Sequence, residues 1–178
     1  ALTVTMKLFP AIVTLHLLGG LLGLALLVMQ TLAYRRAEPG RQPALLPGGL
    51  RSGLLAAFAL VWLQVALGGW VSTNYAVLAC SDFPTCQGRW WPEMEFAQGF
   101  ELWRDLGKTG AGDHVTFAAL TAIHYTHRLM AYLVFVVLGL LAWKLWRGPL
   151  HRQAHALAAL AAWQFLTGLS NVVLDWPI

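Results

Sequence analysis

Three histidines stand where a histidine is costly. His16 lies in TLHLLGG, and His124 and His127 lie in AIHYTHRLMA, where Arg128 follows at once. All four fall inside long apolar runs, and an ionisable group within hydrocarbon is a functional candidate by default. His16 is 19 residues from Arg35 and His127 is 17 residues from Lys144. At about 1.5 Å per residue the two imidazoles sit about 28 and 26 Å from the basic ends of their helices. Neutral imidazole is a strong iron ligand, so two at equal depth on helices running the same way suggest axial ligation of heme iron. The plainer role of a lone buried histidine is a packing hydrogen bond; the matched depth favours ligation.

His124, three residues before His127, shares nearly the same helical face. It is a supporting group, an alternative ligand or a proton carrier. Arg128 is a fixed cation able to pair with a heme propionate, or else an ordinary structural ion pair. His151 and His155 read as solvated interface residues and His114 as a surface residue.

The only two cysteines, Cys80 and Cys86, flank a short Pro-containing segment in ACSDFPTCQG. Two readings stand: a disulfide that staples the loop, and a redox-active pair. Two thiols with no adjacent histidine make a poor metal site.

The elements that must hold these residues are helical and membrane-spanning. Of 178 residues 58% are hydrophobic and 11% charged, which excludes an ordinary soluble domain. Apolar spans of about 20 residues cover 10–33, 53–77, 115–146 and 154–174, giving an all-α, polytopic membrane protein with four transmembrane helices. Arg35, Arg36, Arg41 and Arg51 lie between the first two spans, and Lys144, Arg147 and Arg152 between the last two. By the positive-inside rule these connections face the cytoplasm. The loop 78–114 carries six acidic residues against three basic ones and faces outward with both cysteines, an oxidising side if the membrane is a bacterial plasma membrane. The net charge of +4 is accounted for by those helix ends, so nucleic acid is not a partner; membrane lipid is.

RRAEPGRQPALLPGG, rich in Pro and Gly, reads as an inter-domain linker. The chain divides into 1–34, a helix of one unit, a cytoplasmic linker 35–52, and 53–178, three helices of a second unit with the outer loop 78–114. WLQVALGGWV and WQFLTGLSNV echo one another, each with Gln followed by Gly four residues later. In the outer loop EFAQGFELWRDLG spaces Phe96, Phe100, Trp103 and Leu106 as a short amphipathic helix, lying in the interface or capping a cavity. Trp90, Trp91 and Trp103 suit an aromatic belt.

Taken together, KLFPAIVTLHLLGGL, QVALGGWVSTNYAVLACSDFPTCQGRWWP, AIHYTHRLMA and QFLTGLSNVV closely resemble heme A synthase, in a proteobacterial style. The resemblance implies an eight-helix bundle of two similar four-helix halves. The chain would supply the last helix of the first half and the first three of the second. It implies oxidation of the heme O ring methyl to a formyl group, to make heme A for cytochrome oxidase, with heme b as cofactor and heme O as substrate. His127 and His16 become heme-iron ligands and catalytic candidates, on the heme b side and the substrate side respectively, with Arg128 and His124 as further heme contacts. Their partner histidines are expected on helices before residue 1 and after residue 178, so neither site is expected to be intact here. Cys80 and Cys86 become a disulfide shaping the loop above the heme. Heme O synthase, cytochrome oxidase assembly components and a second copy of the chain are the implied partners, and the bacterial inner membrane with a periplasmic cysteine loop is the implied setting. The alternatives are a heme b electron-transfer cytochrome with His16 and His127 on one iron, a quinone-linked membrane thiol oxidoreductase, and an assembly factor with structural histidines.

Overall fold

A computed structural model of the chain describes residues 9–36 and 46–174. Four helices are long and apolar enough to cross a membrane: α1, Pro10–Arg36; α2, Gly48–Thr73; α4, Phe117–Arg147; and α5, His151–Val173. Between α2 and α4 come a single 3-10 turn, Ala76–Ala79, and a one-turn helix α3, Phe96–Gly99. No strand occurs among the described residues. Residues 1–8, the centre of the linker, 37–45, and the last four residues, 175–178, lie outside them. The helices take both ends of the expected linker, reaching Arg36 on one side and starting at Gly48 on the other.

α4 is the hub, packed against α2 on one side and α5 on the other, while α1 lies on α2. Lipid tails are as apolar as leucine, so such helices gain little from hiding hydrophobes and associate through close packing of small residues. Ala57 and Ala154 are buried together in one such contact, and Ala119 and Ala122 are also buried. At the end carrying Lys144 and Arg147, Ala57, Leu141, Leu145 and Ala154 make one cluster. At the loop end, Trp70, Val71, Ala76 and Ile123 make another.

Two expectations about the loop end need correcting. The second span was placed at 53–77, yet α2 stops at Thr73. Asn74 caps it, its side-chain amide donating to the Trp70 carbonyl at 2.8 Å, and Tyr75 turns left-handed at φ 53°. Residues 76–79 are as apolar as the helix before them, so hydropathy carries no sign of the stop. The amphipathic helix expected across 95–107 shrinks to α3, one turn. Beyond it Glu101 accepts from the Gly110 backbone N–H at 2.9 Å, while the buried Arg104 donates to the Lys108 carbonyl and to Asn74. Trp103 leaves the expected stripe to pack on Phe9 at 4.9 Å between ring centroids. Each tie draws the chain away from a helical path.

Gly99 shows why α3 can lie on α4 at all. A Cβ built there would stand 2.8 Å from the backbone oxygen of Ala119, and the Gly99 carbonyl also accepts from the Trp70 indole at 2.9 Å. Gly99→Ala is therefore expected to cost about 1–3 kcal/mol, the usual price of overpacking against backbone. Thermal unfolding in detergent reads it; an unchanged Tm would mean that the contact relaxes freely.

Candidate functional site

A cavity of about 610 Å³ opens between α2, α4 and α5. Gln64 and Gly68 border it from α2, His127, Arg128 and Phe135 from α4, and Gln164, Phe165 and Gly168 from α5, with Phe83 of the cysteine loop at its outer end. Its size lies in the range of small-molecule and cofactor sites.

His127 sits at the α2–α4 contact. The nearest atom to a Cβ placed on Gly68 would be its Cε1, at 3.1 Å, so a bare glycine makes room for the imidazole edge. One turn earlier on the same face, the Gln64 amide nitrogen lies 3.0 Å from Nδ1 and 3.2 Å from Nε2 of the ring. The echoed pair, Gln164 and Gly168, faces the same cavity from α5, but nothing approaches Gly168 within 4 Å.

His16 is placed elsewhere. Thr14 faces α2, its hydroxyl 3.2 Å from that of Thr73 and its methyl beside Gly69. Two residues further is about 200° round a helix, which turns His16 outward, and it is exposed. Gly68 meets His127 and Gly69 meets α1, so the imidazoles stand at a similar level on different sides of α2. The structure does not bring them together, and His16 does not border the cavity of His127.

His124 is buried and borders the cavity, with Nδ1 at 3.0 Å from the Ala76 carbonyl. Arg128 also borders it, but its guanidinium is turned onto the cysteine loop. It donates to the carbonyls of Asp82 at 2.9 Å, Thr85 at 2.6 Å and Cys80 at 3.4 Å, and it lies over the Phe83 ring.

Cys80 and Cys86 are disulfide-bonded, and both are buried beside Tyr125 and Met94. Within the ring they close, Asp82 organises the turn. Its carboxylate accepts from the Thr85 hydroxyl and from the backbone N–H groups of Gln87 at 2.6 Å and Gly88 at 3.0 Å. Gln87 and Gly88 both take positive φ, 56° and 69°.

The Thr85 hydroxyl first, then the Gly88 and Gln87 N–H groups, hold the Asp82 carboxyl below its ordinary value of 3.8, against an opposing effect of burial. A depressed carboxylate stabilises above its ordinary pKa and loses that contribution as pH falls through the lowered one. Protection of the Gln87 and Gly88 amides from hydrogen exchange is thus expected to be flat from neutral pH to about pH 4 and to fall below it. Loss of protection already at pH 6 would contradict this.

Sequence reasoning missed how α4 holds the loop. Thr121 accepts from Gln87 at 2.8 Å, His124 meets Ala76, Tyr125 donates to the Trp90 carbonyl, and Arg128 clasps the cysteine ring. Positions 121, 124, 125 and 128 are one helical face at i, i+3, i+4 and i+7. The spacing was visible in the sequence; that a loop, rather than a cofactor, lies on most of it was not. Trp90, Trp91 and Trp103 are exposed, as an aromatic belt requires.

A multi-pass helical membrane protein with a histidine seated beside an interhelical cavity is the class that this fold and site define. The chain belongs to the cytochrome oxidase assembly protein family, COX15-CtaA, which it matches along residues 1–178. It is 36% identical to a heme A synthase of Shewanella oneidensis over 99% of this chain and 53% of that protein. It is 29% identical to one of Halalkalibacterium halodurans over 92% and 49%, and 33% identical to one of Methylobacterium radiotolerans over 72% and 31%. The chain spans about half the length of the first two relatives. No solved structure matches it.

Proposed function

We propose that the protein to which this chain belongs is a heme A synthase, oxidising the ring methyl of heme O to a formyl group by successive hydroxylations. The observation that carries the reading is His127, seated against Gly68 at the edge of the α2–α4–α5 cavity, in a chain similar along nearly its whole length to proteins of that name.

The residues present fit a heme. The donor is an imidazole, glycine leaves it room, Phe83, Phe135 and Phe165 give the cavity apolar walls, and the volume suits a macrocycle. His127 would hold heme b and Arg128 would offer its remaining N–H groups to a propionate. His124, its Nδ1 turned to Ala76, would line the pocket rather than ligate. His16, on the far side of α2, would serve the substrate heme O. When bound, heme b supplies one-electron transfer; the chain orients it through His127 and roofs it with the disulfide loop. In this reading the protein has eight helices in two halves and lies in a bacterial inner membrane with the cysteine loop on the periplasmic side. It receives heme O from its synthase and serves cytochrome oxidase assembly.

The placement of His16 and His127 on different sides of α2 argues against both on one iron. Cys80 and Cys86, the two cysteines of this sequence, are buried and bonded to one another, which supports a staple over a thiol relay.

Extraction of hemes from membranes of cells making the full-length protein with heme O tests the reading. Heme A is expected to appear at the expense of heme O. Unchanged heme O beside an intact Soret band would leave an electron-transfer cytochrome.

A further inference from the structure

We propose that Phe83 is the plug of the cavity: its ring closes the outer end against water and so holds up the reduction potential of the group bound beside His127. The proposal rests on His127 being a heme ligand.

Phe83 is the one residue of the cysteine loop that borders the cavity; the other lining residues belong to α2, α4 and α5. Its ring meets two side chains of α4. The Arg128 guanidinium lies over it at 5.8 Å from the centroid, and Tyr132 stands edge-on with 6.4 Å between centroids. Arg128 and Tyr132 are i and i+4, successive turns of one helical face, and both border the cavity themselves. A ring that touches both therefore lies along the α4 wall at the rim. It is 40% exposed, as a residue at a mouth must be.

The backbone beneath the ring is held without help from the ring. Phe83 is the middle residue of the segment that the Cys80–Cys86 disulfide closes. Arg128 grips that segment by the carbonyls of Cys80, Asp82 and Thr85, and the Asp82 carboxylate ties it to the Gln87 and Gly88 N–H groups. None of these bonds uses the Phe83 side chain. What the side chain adds is apolar surface at the mouth, among the polar Asp82, Thr85 and Gln87.

That surface has an electrostatic consequence. Ferric heme carries one more positive charge than ferrous heme, and water stabilises the more charged form. An apolar shell that keeps water out therefore raises the potential. In the full-length protein purified with its heme, Phe83→Ala is expected to lower the midpoint potential of heme b and to quicken its reduction by dithionite, an aqueous reductant. Phe83→Ser should lower the potential further and Phe83→Leu least, an order set by the size and polarity of the plug. Protection of the Gln87 and Gly88 amides from hydrogen exchange should stay at the wild-type level in all three, whereas loss of a merely structural phenylalanine would lower it. Potential and reduction rate both unmoved would overturn the proposal. So would a potential that falls only together with amide protection, because it would then follow the loop and not the ring. Should Phe83→Ala not fold, Phe83→Leu and Phe83→Trp decide by the same rule, the smaller group lowering the potential and the larger one not. His127→Ala separates the two claims. If it keeps the wild-type low-spin signal, the ligand reading fails and the plug with it. If it loses the signal while the Phe83 variants leave the potential untouched, only the role of Phe83 fails.

Discussion

His127→Ala in the full-length protein is expected to abolish the low-spin heme absorbance and to lower heme A formation by more than about 100-fold. The magnitude follows from a comparison: losing only a hydrogen-bond partner of a metal ligand costs about 10–100-fold, so losing the ligand must cost more. At about 1.4 kcal/mol per tenfold, that exceeds about 2.8 kcal/mol. The reduced-minus-oxidised spectrum of purified protein and extracted hemes read the two effects. The neighbouring histidines give the contrast. His124, with Nδ1 3.0 Å from the Ala76 carbonyl, is expected to keep the absorbance on substitution by Gln, and His16, off the cavity, is expected to keep it on substitution by Ala while losing conversion of heme O. A spectrum lost with His124 and kept without His127 would move the ligand three residues along α4.

Arg128→Leu is expected to free the cysteine loop. Arg128 is only 6% exposed, and its guanidinium donates to three loop carbonyls. Hydrogen bonds to charged groups contribute about 1.5–3 kcal/mol each, and losses within one cluster do not simply add, so about 3–5 kcal/mol is expected in total. Loop closure by the disulfide, across a separation of 6 residues, is worth only about 2 kcal/mol on the chain-entropy model. The clasp therefore outweighs the staple. Arg128→Leu should expose Cys80 and Cys86 to a mild reductant and the loop to protease, whereas Cys80→Ser should leave the loop largely docked. Arg128→Lys, with a single charged nitrogen in place of a fork, is expected to recover part of the protection. Loss of heme with a fully protected loop would instead make the propionate the dominant partner of Arg128.

Much of the architecture was legible in the chain because hydrocarbon is a demanding solvent. Backbone groups must be satisfied within each crossing segment, so a run of about 20 apolar residues has one structure open to it. The start of α1 at Pro10 and the ends of α4 and α5 lie close to where hydropathy put them. Chemistry was legible for the same reason: a histidine in such a run is conspicuous. What hydropathy could not register is a stop made by a cap, as at Asn74 and Tyr75, or a helix undone by the side-chain ties of Glu101 and Arg104.

The cysteine loop shows the boundary between the two kinds of information. Composition and charge placed the pair in the loop 78–114 but left staple and redox couple equally open. The disulfide, Asp82 at the centre of its turn and Arg128 across its carbonyls make the segment a lid anchored to α4.

The sequence by itself determined that the chain is helical, crosses a membrane and places histidines within it, because each of these follows from local composition against a low-dielectric solvent. The tertiary structure alone decided which histidines meet the cavity, His124 and His127 but not His16. Facing depends on how helices rotate against one another, and that was settled by two adjacent glycines, Gly68 admitting His127 and Gly69 admitting α1. It also decided that Arg128 spends its hydrogen bonds on the loop, since its acceptors lie more than 40 residues away in the chain and only packing brings them within reach.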